Sequence, residues 1–251
     1  MKQIAIAGKG GVGKTTFTAL MLRHLLKNKP GKAVLAVDAD PNANLNEALG
    51  LEVENTISTI LENTKIPNVV PTGMSKEMYI EFKLQAALAE TDSYDLLVMG
   101  NPQKAGCYCY PNDLLRKHLE TLRANYDYVM VDNEAGLEHL SRRIISKVDI
   151  LIVVSDAAAR SIRSAARVHD IAKGVGLDIK EMYLVVTKVT TGNEIEQLQG
   201  EIDKTGLQLI GTIPLDPLVS DYDVRGEALI NLPDDAPSVE AVDAILKKIN
   251  L

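Results

Sequence analysis

A glycine-rich run at residues 8–16 constrains the fold of this 251-residue chain more than any other feature. It follows a short apolar run, residues 4–7, and opens a helical pattern from Phe17 to Leu26. The spacing Gly-x4-Gly-Lys-Thr is that of the P-loop, whose glycines let backbone N–H groups turn inward at the positive end of a helix dipole. An ordinary glycine-rich turn is the alternative, and the flanking strand and helix disfavour it. The sequence therefore predicts a cradle for the phosphates of a nucleoside triphosphate, formed by Gly8, Lys9, Gly10, Gly11, Val12, Gly13, Lys14, Thr15 and Thr16.

The composition narrows the classes of partner. The net charge is −7 and no basic stretch stands out, which argues against nucleic acid because DNA binding needs a basic face. No apolar run approaches the length of a membrane span, and the few apolar residues before the glycine loop are too few for a signal peptide. We therefore expect a cytoplasmic protein with no membrane partner. In that compartment its two cysteines would be thiols or metal ligands rather than a structural disulfide.

Apolar runs alternate with helical periodicity along the chain, which predicts a single α/β domain over residues 1–251. The expected fold is a mostly parallel, twisted sheet with helices on both faces and a ligand at the carboxyl ends of the strands. Periodicity also predicts one helix over residues 76–90. We expect the last helix, residues 239–249, to pack its apolar stripe on the core, because only Lys247 and Lys248 could form a cationic face toward a membrane.

Three carboxylates fall at predicted strand ends, where a P-loop protein needs them. Asp132 ends an apolar strand and would hold Mg²⁺ through water, with the Thr15 hydroxyl as a direct ligand and Lys14 on the terminal phosphates. Asp40 is the candidate for orienting the attacking water, and Asp38 for supporting the metal shell. The alternative, in which one of these side chains only caps the following helix, stays open for Asp38 in particular. Residues 132–140 would then form a loop that senses the γ-phosphate through the Gly136 amide.

The identity of the nucleotide base can also be inferred. Guanine-specific relatives carry Asn-Lys-x-Asp after a late strand, and here the corresponding residues are Thr187-Lys188-Val189-Thr190, with neither Asn nor Asp. ATP is therefore favoured over GTP. The candidate adenine contacts are Thr187 and Lys188, together with the backbone of Pro214, Leu215 and Asp216.

The run Lys-Gly-Gly-x-Gly-Lys-Thr-Thr at 9–16 resembles the deviant Walker A motif of the nitrogenase-iron-protein/MinD superfamily of dimeric ATPases. Asp38-x-Asp40-Pro41 and Asp132-x-x-Ala-Gly136 resemble its two switch regions. The resemblance implies a homodimer with two facing ATP molecules, which closes on ATP and opens after hydrolysis to ADP. It also implies that Lys9 reaches the phosphates of the facing subunit, rather than being a solvated surface lysine. Family members often carry Asn where Thr187 stands, so the chain departs from the pattern there.

The two cysteines, Cys107 and Cys109, are two residues apart after a predicted strand. In an extended backbone such residues point the same way, and two thiolates make half of a tetrahedral metal site. A twofold axis beside them would supply the other half, for Ni²⁺ or Zn²⁺. Two ordinary buried thiols are the alternative. With the switches, the Cys-x-Cys pair is similar to that of the nickel-insertion accessory ATPases of carbon monoxide dehydrogenase and acetyl-CoA synthase (CooC-type), which implies one of these enzymes as the client.

Two other functions fit parts of the same sequence. A MinD/ParA-like positioning ATPase would need a basic membrane helix or a DNA-binding face, and neither is visible. An iron–sulfur electron-transfer ATPase, like the nitrogenase iron protein, would also use four thiolates from a dimer. In that protein, however, the two cysteines of each chain are far apart in sequence.

Overall fold

A computed structural model describes residues 1–101, 109–134, 147–174 and 176–251 of the chain, with residues 109–112, 115 and 123 described by backbone alone. The strands are β1 Lys2–Gly8, β2 Val34–Asp38, β3 Leu88–Glu90, β4 Asp95–Val98, β5 Tyr128–Asp132, β6 Lys147–Asp156, β7 Asp178–Val189 and β8 Gln208–Pro214. The helices are α1 Lys14–Asn28, α2 Leu45–Ala48, α3 Ile57–Asn63, α4 Lys76–Gln85, α5 Cys109–Leu122, α6 Ala159–Gly174, α7 Asn193–Asp203, α8 Pro217–Arg225 and α9 Pro237–Lys248.

The eight strands that the described residues form belong to one sheet, in the order β3-β4-β2-β5-β1-β6-β7-β8. Neighbouring strands are parallel except for the edge pair, where β3 runs antiparallel to β4. This confirms the predicted α/β fold. The parallel register places Asp38 of β2 directly beside Asp132 of β5, and Ile6 of β1 pairs with Asp132 on its other side. The glycine loop and the two carboxylates therefore meet at the carboxyl ends of the central strands, which form one edge of the sheet.

Helices cover both faces of the sheet because successive strand residues point to opposite sides. Ile4 and Ile6 lie in a core with α1 and α9, whereas Ala5 and Ala7 lie in a second core with α3, α4 and α6. The apolar stripe of α9 is buried in the first core, which confirms core packing for this helix; its buried residues include Val239, Val242, Ile245 and Leu246. None of the described helices combines the length and the apolar character that crossing a membrane requires.

The helix predicted over residues 76–90 is wrong in its last five residues, 86–90. Helix α4 ends at Gln85, and β3 then pairs with β4 through Ala89 and Leu96. A short turn closes this hairpin, because the Thr91 hydroxyl oxygen accepts hydrogen bonds from the N–H groups of Ser93 and Tyr94. Edge pairing and a side-chain turn therefore override the helical periodicity of residues 86–90.

Candidate functional site

The glycine loop joins β1 to α1, as predicted, and three of its glycines (Gly8, Gly11 and Gly13) have positive φ angles, which other residues rarely adopt. Gly8 has a φ of +154°, and a Cβ atom there would lie 2.2 Å from the Val154 carbonyl oxygen of β6. Gly13, which precedes the first turn of α1, has a φ of +86° in the left-handed region. The sheet therefore crowds the start of the loop, and the glycine at its end lets the chain turn into the helix.

We expect Gly8→Ala to lower the free energy of unfolding by more than about 3 kcal/mol, because the added methyl group collides with backbone that cannot move aside. The matched control is Gly31→Ala, since Gly31 also has positive φ, +75°, but a Cβ atom there meets nothing within 4 Å. That control should lose only about 1 kcal/mol. Urea denaturation of both variants checks the difference, and equal losses would contradict the crowding argument.

Lys14 and Thr15 begin α1 with their functional groups toward the sheet edge. The Lys14 ammonium donates to the Lys9 carbonyl at 3.2 Å, and the Thr15 hydroxyl donates to Asp132 Oδ2 at 2.7 Å. Burial lowers the pKa of Lys14 from its ordinary value, while the negative charges of Asp132, Asp40 and Glu134 act in the opposite direction. A cation thus lies inside the loop, with carboxylates around it.

Asp132 lies at the centre of this edge and is buried, with 2% of its surface exposed. Its Oδ2 accepts a hydrogen bond from the Thr15 hydroxyl, but its buried Oδ1 has no hydrogen-bond partner among the described residues. Burial raises the pKa of Asp132 to about 7, and the neighbouring Asp38 charge acts in the same direction. An unpartnered carboxylate oxygen in a buried site is costly unless a ligand or ion completes it.

The contacts of Asp38 match the capping alternative. Its two oxygens accept from the N–H groups of Asp40 and Leu45, at 3.0 and 2.8 Å, so the carboxylate holds the loop that leads to α2. Burial raises the pKa of Asp38 to about 6, against the effect of these hydrogen bonds. Asp40 follows at the sheet edge, where its Oδ1 accepts from the Asn42 N–H and side-chain amide.

The predicted base-binding residues also come together. A cavity of about 90 Å³ is lined by Gly13, Thr16, Phe17, Leu20, Thr187, Lys188, Ile213, Pro214, Leu215, Asp216, Val219 and Ser238. The Asp216 side chain has a structural role beside this cavity, because it accepts from the Leu218 N–H at the start of α8 and from the Ser238 hydroxyl. The Thr187 hydroxyl and the Lys188 ammonium donate to carbonyl groups of the glycine loop.

Comparisons with known proteins agree with this geometry. A protein family described as an AAA domain matches residues 1–185 of the 251. The chain belongs to this family.

Two relatives and one solved structure match nearly the whole chain. An uncharacterized ATP-binding protein of Methanocaldococcus jannaschii is 42% identical over 249 residues, which is 98% of this chain and 97% of that protein. The carbon monoxide dehydrogenase accessory protein CooC of Rhodospirillum rubrum is 31% identical over 245 residues, 92% of this chain and 90% of that protein. The solved structure of the MinD cell division protein of Aquifex aeolicus has a TM-score of 0.72 and 27% identity, covering 100% of this chain and 97% of that one. The chain is thus a P-loop ATPase of the MinD/ParA-like superfamily.

The site of this ATPase fits Mg²⁺ with its nucleotide. The orphaned Asp132 Oδ1 and the Thr15 hydroxyl are oxygen donors of the kind that Mg²⁺ takes, and they lie beside the phosphate loop. When bound there, the ion would offset negative charge on the phosphate groups.

Several predicted residues are not brought into the described site. Cys107 and Gly136 lie outside the described residues. Cys109 is described by its backbone only, and it is the first residue of α5 rather than part of the extended backbone that was expected there. The Lys9 side chain is exposed at the loop, so its proposed contact across a dimer remains a prediction.

Asn133 is a site residue that sequence reasoning missed. It is buried directly after Asp132, and both its N–H and its side-chain amide donate to the Ile6 carbonyl, at 3.1 and 2.9 Å. These bonds tie the residue that follows β5 to β1. The available signal was its position, since a polar residue that follows a buried strand needs a partner for its amide.

Proposed function

We propose that this ATPase is a dimeric metallochaperone that supports insertion of nickel into carbon monoxide dehydrogenase or acetyl-CoA synthase. The likeness to the carbon monoxide dehydrogenase accessory protein of Rhodospirillum rubrum supports the class, because it spans both chains almost end to end. The proposal places the protein in the cytoplasm, where thiols stay reduced and can bind metal.

The observation that carries the proposal is the position of Cys109. It opens α5, which follows β4 and precedes β5 in the parallel part of the sheet. A crossover helix of this kind begins at the carboxyl edge of the sheet, the edge that also holds the phosphate loop. In the proposal, Cys107 and Cys109 would therefore hold the metal on the same side of the molecule as the nucleotide.

Two subunits would complete the metal site. Two thiolates are half of a tetrahedral site, and a twofold axis would bring the same pair from the partner, so that four thiolates hold Ni²⁺ or Zn²⁺. ATP would close the dimer over this site, with Lys14 on the phosphates and Asp40 orienting the attacking water. Hydrolysis would change the dimer geometry and weaken metal binding near the client enzyme.

We expect Cys107→Ser/Cys109→Ser to lose stoichiometric nickel binding and client activation together, because a hydroxyl is a poor ligand for a soft-metal site. Equilibrium dialysis with Ni²⁺ and an activation assay with nickel-free client measure both. The control is Asp40→Asn, which keeps both thiols and the phosphate loop and removes the group that would orient the attacking water. In the presence of ATP it should bind nickel but fail to activate the client. Survival of nickel binding and activation in the double serine variant would refute the proposal.

A second candidate is a positioning ATPase, which the likeness to the Aquifex aeolicus MinD structure favours. The buried apolar face of α9 argues against it, since that helix presents its stripe to the core rather than to a membrane. Co-sedimentation with anionic phospholipid vesicles or with DNA distinguishes the two functions. ATP-dependent pelleting would support the positioning function.

A further inference from the structure

Two consecutive residues at the end of β7 hold the phosphate loop by its carbonyl groups. The buried Thr187 hydroxyl donates to the Val12 carbonyl at 2.6 Å, and the Lys188 ammonium donates to the Gly11 carbonyl at 2.7 Å. These bonds join residues about 175 positions apart in the chain, at the point where β7 passes the loop.

The backbone of β7 is distorted where these side chains reach the loop. Lys188 has a φ of +57°, in the left-handed region that residues with a Cβ atom rarely adopt. The register with β8 shifts at the same place, since Val186 pairs with Thr212 whereas Val189 pairs with Pro214. Such a bulge re-aims a side chain, and strained backbone of this kind persists where surrounding contacts hold it.

Fixing a carbonyl also fixes an amide, because each peptide unit is planar and trans. The Gly11 carbonyl shares its plane with the Val12 N–H, and the Val12 carbonyl shares its plane with the Gly13 N–H. In each plane the N–H points away from the C=O. A donor that holds the two carbonyls on the outside of the loop therefore aims the two amides toward the inside, where phosphate oxygens bind.

We propose that Thr187 and Lys188 are positioning residues of the ATPase, which hold the Gly11 and Val12 carbonyls and thereby aim the Val12 and Gly13 amides at the phosphates. Both residues also line the cavity assigned to the base, so the same two side chains connect the base pocket to the phosphate cradle. This role rests on the ATPase activity of the chain and does not depend on the metal cargo proposed above.

Lys188→Met keeps the aliphatic stem and removes the ammonium, and Thr187→Val keeps the shape and removes the hydroxyl. We expect each to raise the KM for ATP about fivefold to tenfold, with a smaller change in kcat, because each removes one hydrogen bond that orients a binding amide. The inhibition constant of inorganic tripolyphosphate, which has no base, should rise by the same factor. That of adenosine, which has no phosphate, should stay unchanged. Thr187→Ser should restore the wild-type values.

Lys248→Met is the matched control. Lys248 also donates to a backbone carbonyl, that of Ile210 at 2.8 Å. Neither Lys248 nor Ile210 lines the base cavity or belongs to the glycine loop. The control shows what losing a lysine–carbonyl bond does to stability alone, and its KM should equal that of the wild type. Two results would overturn the proposal: a rise in the adenosine constant with an unchanged tripolyphosphate constant, or wild-type constants for both inhibitors in Lys188→Met and Thr187→Val.

Discussion

Lys9→Ala will lower the kcat for ATP hydrolysis about a thousandfold while ATP binding stays close to that of the wild type. The Lys9 carbonyl accepts a hydrogen bond from the Lys14 ammonium, and this bond ties the backbone of Lys9 to its own loop. Its side chain is exposed to solvent. In the proposed dimer this exposed ammonium meets the phosphates of the facing subunit, where charge develops during hydrolysis. Single-turnover hydrolysis and a nucleotide-binding measurement on the same variant separate the two effects.

A mixing experiment shows whether Lys9 acts across the dimer. Asp40→Asn removes the group that orients the attacking water within its own subunit, and Lys9→Ala removes the cation that is offered to the partner. Each variant alone should be nearly inactive. In a mixed dimer, the Lys9→Ala subunit keeps its own Asp40 and receives Lys9 from the Asp40→Asn subunit, so one of its two sites is complete. Random pairing makes half of the dimers mixed, and the mixture should recover about a quarter of the wild-type rate.

The control is a mixture of Lys9→Ala with Lys14→Ala/Lys9→Ala, in which no subunit carries Lys9 and no recovery is expected. If the mixture of Lys9→Ala and Asp40→Asn also fails to recover, Lys9 acts on the nucleotide of its own subunit and the dimer with facing nucleotides loses its main support.

The glycine loop and the carboxylates were predictable from the sequence for a physical reason. Gly8 and Gly13 stand where the chain needs conformations that only glycine adopts easily, so their spacing records the backbone path. Asp38 and Asp132 end apolar runs, and parallel strands bring their carboxyl ends to one edge. The structure makes these two residues direct neighbours in the sheet.

The contacts that refine the site were not predictable in the same way. The bond from Lys188 to the Gly11 carbonyl depends on a bulge in β7, and the engagement of both Asp38 oxygens depends on how residues 39–45 fold back. Neither leaves a periodic pattern. Helix α8 is a different case, because Asp216-Pro217 at its start and Gly226 at its end are ordinary cap signals that sequence reasoning passed over.

Asp132→Asn will stabilise the nucleotide-free protein and impair the enzyme. Burial raises the pKa of Asp132 from 3.8 to about 7. Between these two pH values the Asp132 carboxyl is therefore protonated in the folded protein and ionised in the unfolded chain. Its contribution to stability is complete below pH 4 and is lost as the pH rises through about 7. At pH 8 the wild type therefore holds a charged, partly unsatisfied carboxylate in its core, and the neutral amide should raise the free energy of unfolding by about 2 kcal/mol.

The pH profile and a companion variant distinguish this mechanism from a general effect of asparagine. Urea denaturation in EDTA from pH 5 to pH 8 should show a smaller fall in stability for Asp132→Asn than for the wild type. Asp38→Asn should destabilise instead, because both Asp38 oxygens accept backbone N–H groups and an amide can replace only one of them. In the enzyme assay Asp132→Asn should raise the Mg²⁺ concentration needed for half-maximal activity about 10- to 100-fold. The negative charge that destabilises the empty site is the one that binds the cation. If Asp132→Asn neither raises the free energy of unfolding without nucleotide nor raises the Mg²⁺ concentration needed for activity, the Asp132 carboxylate does not bind the ion.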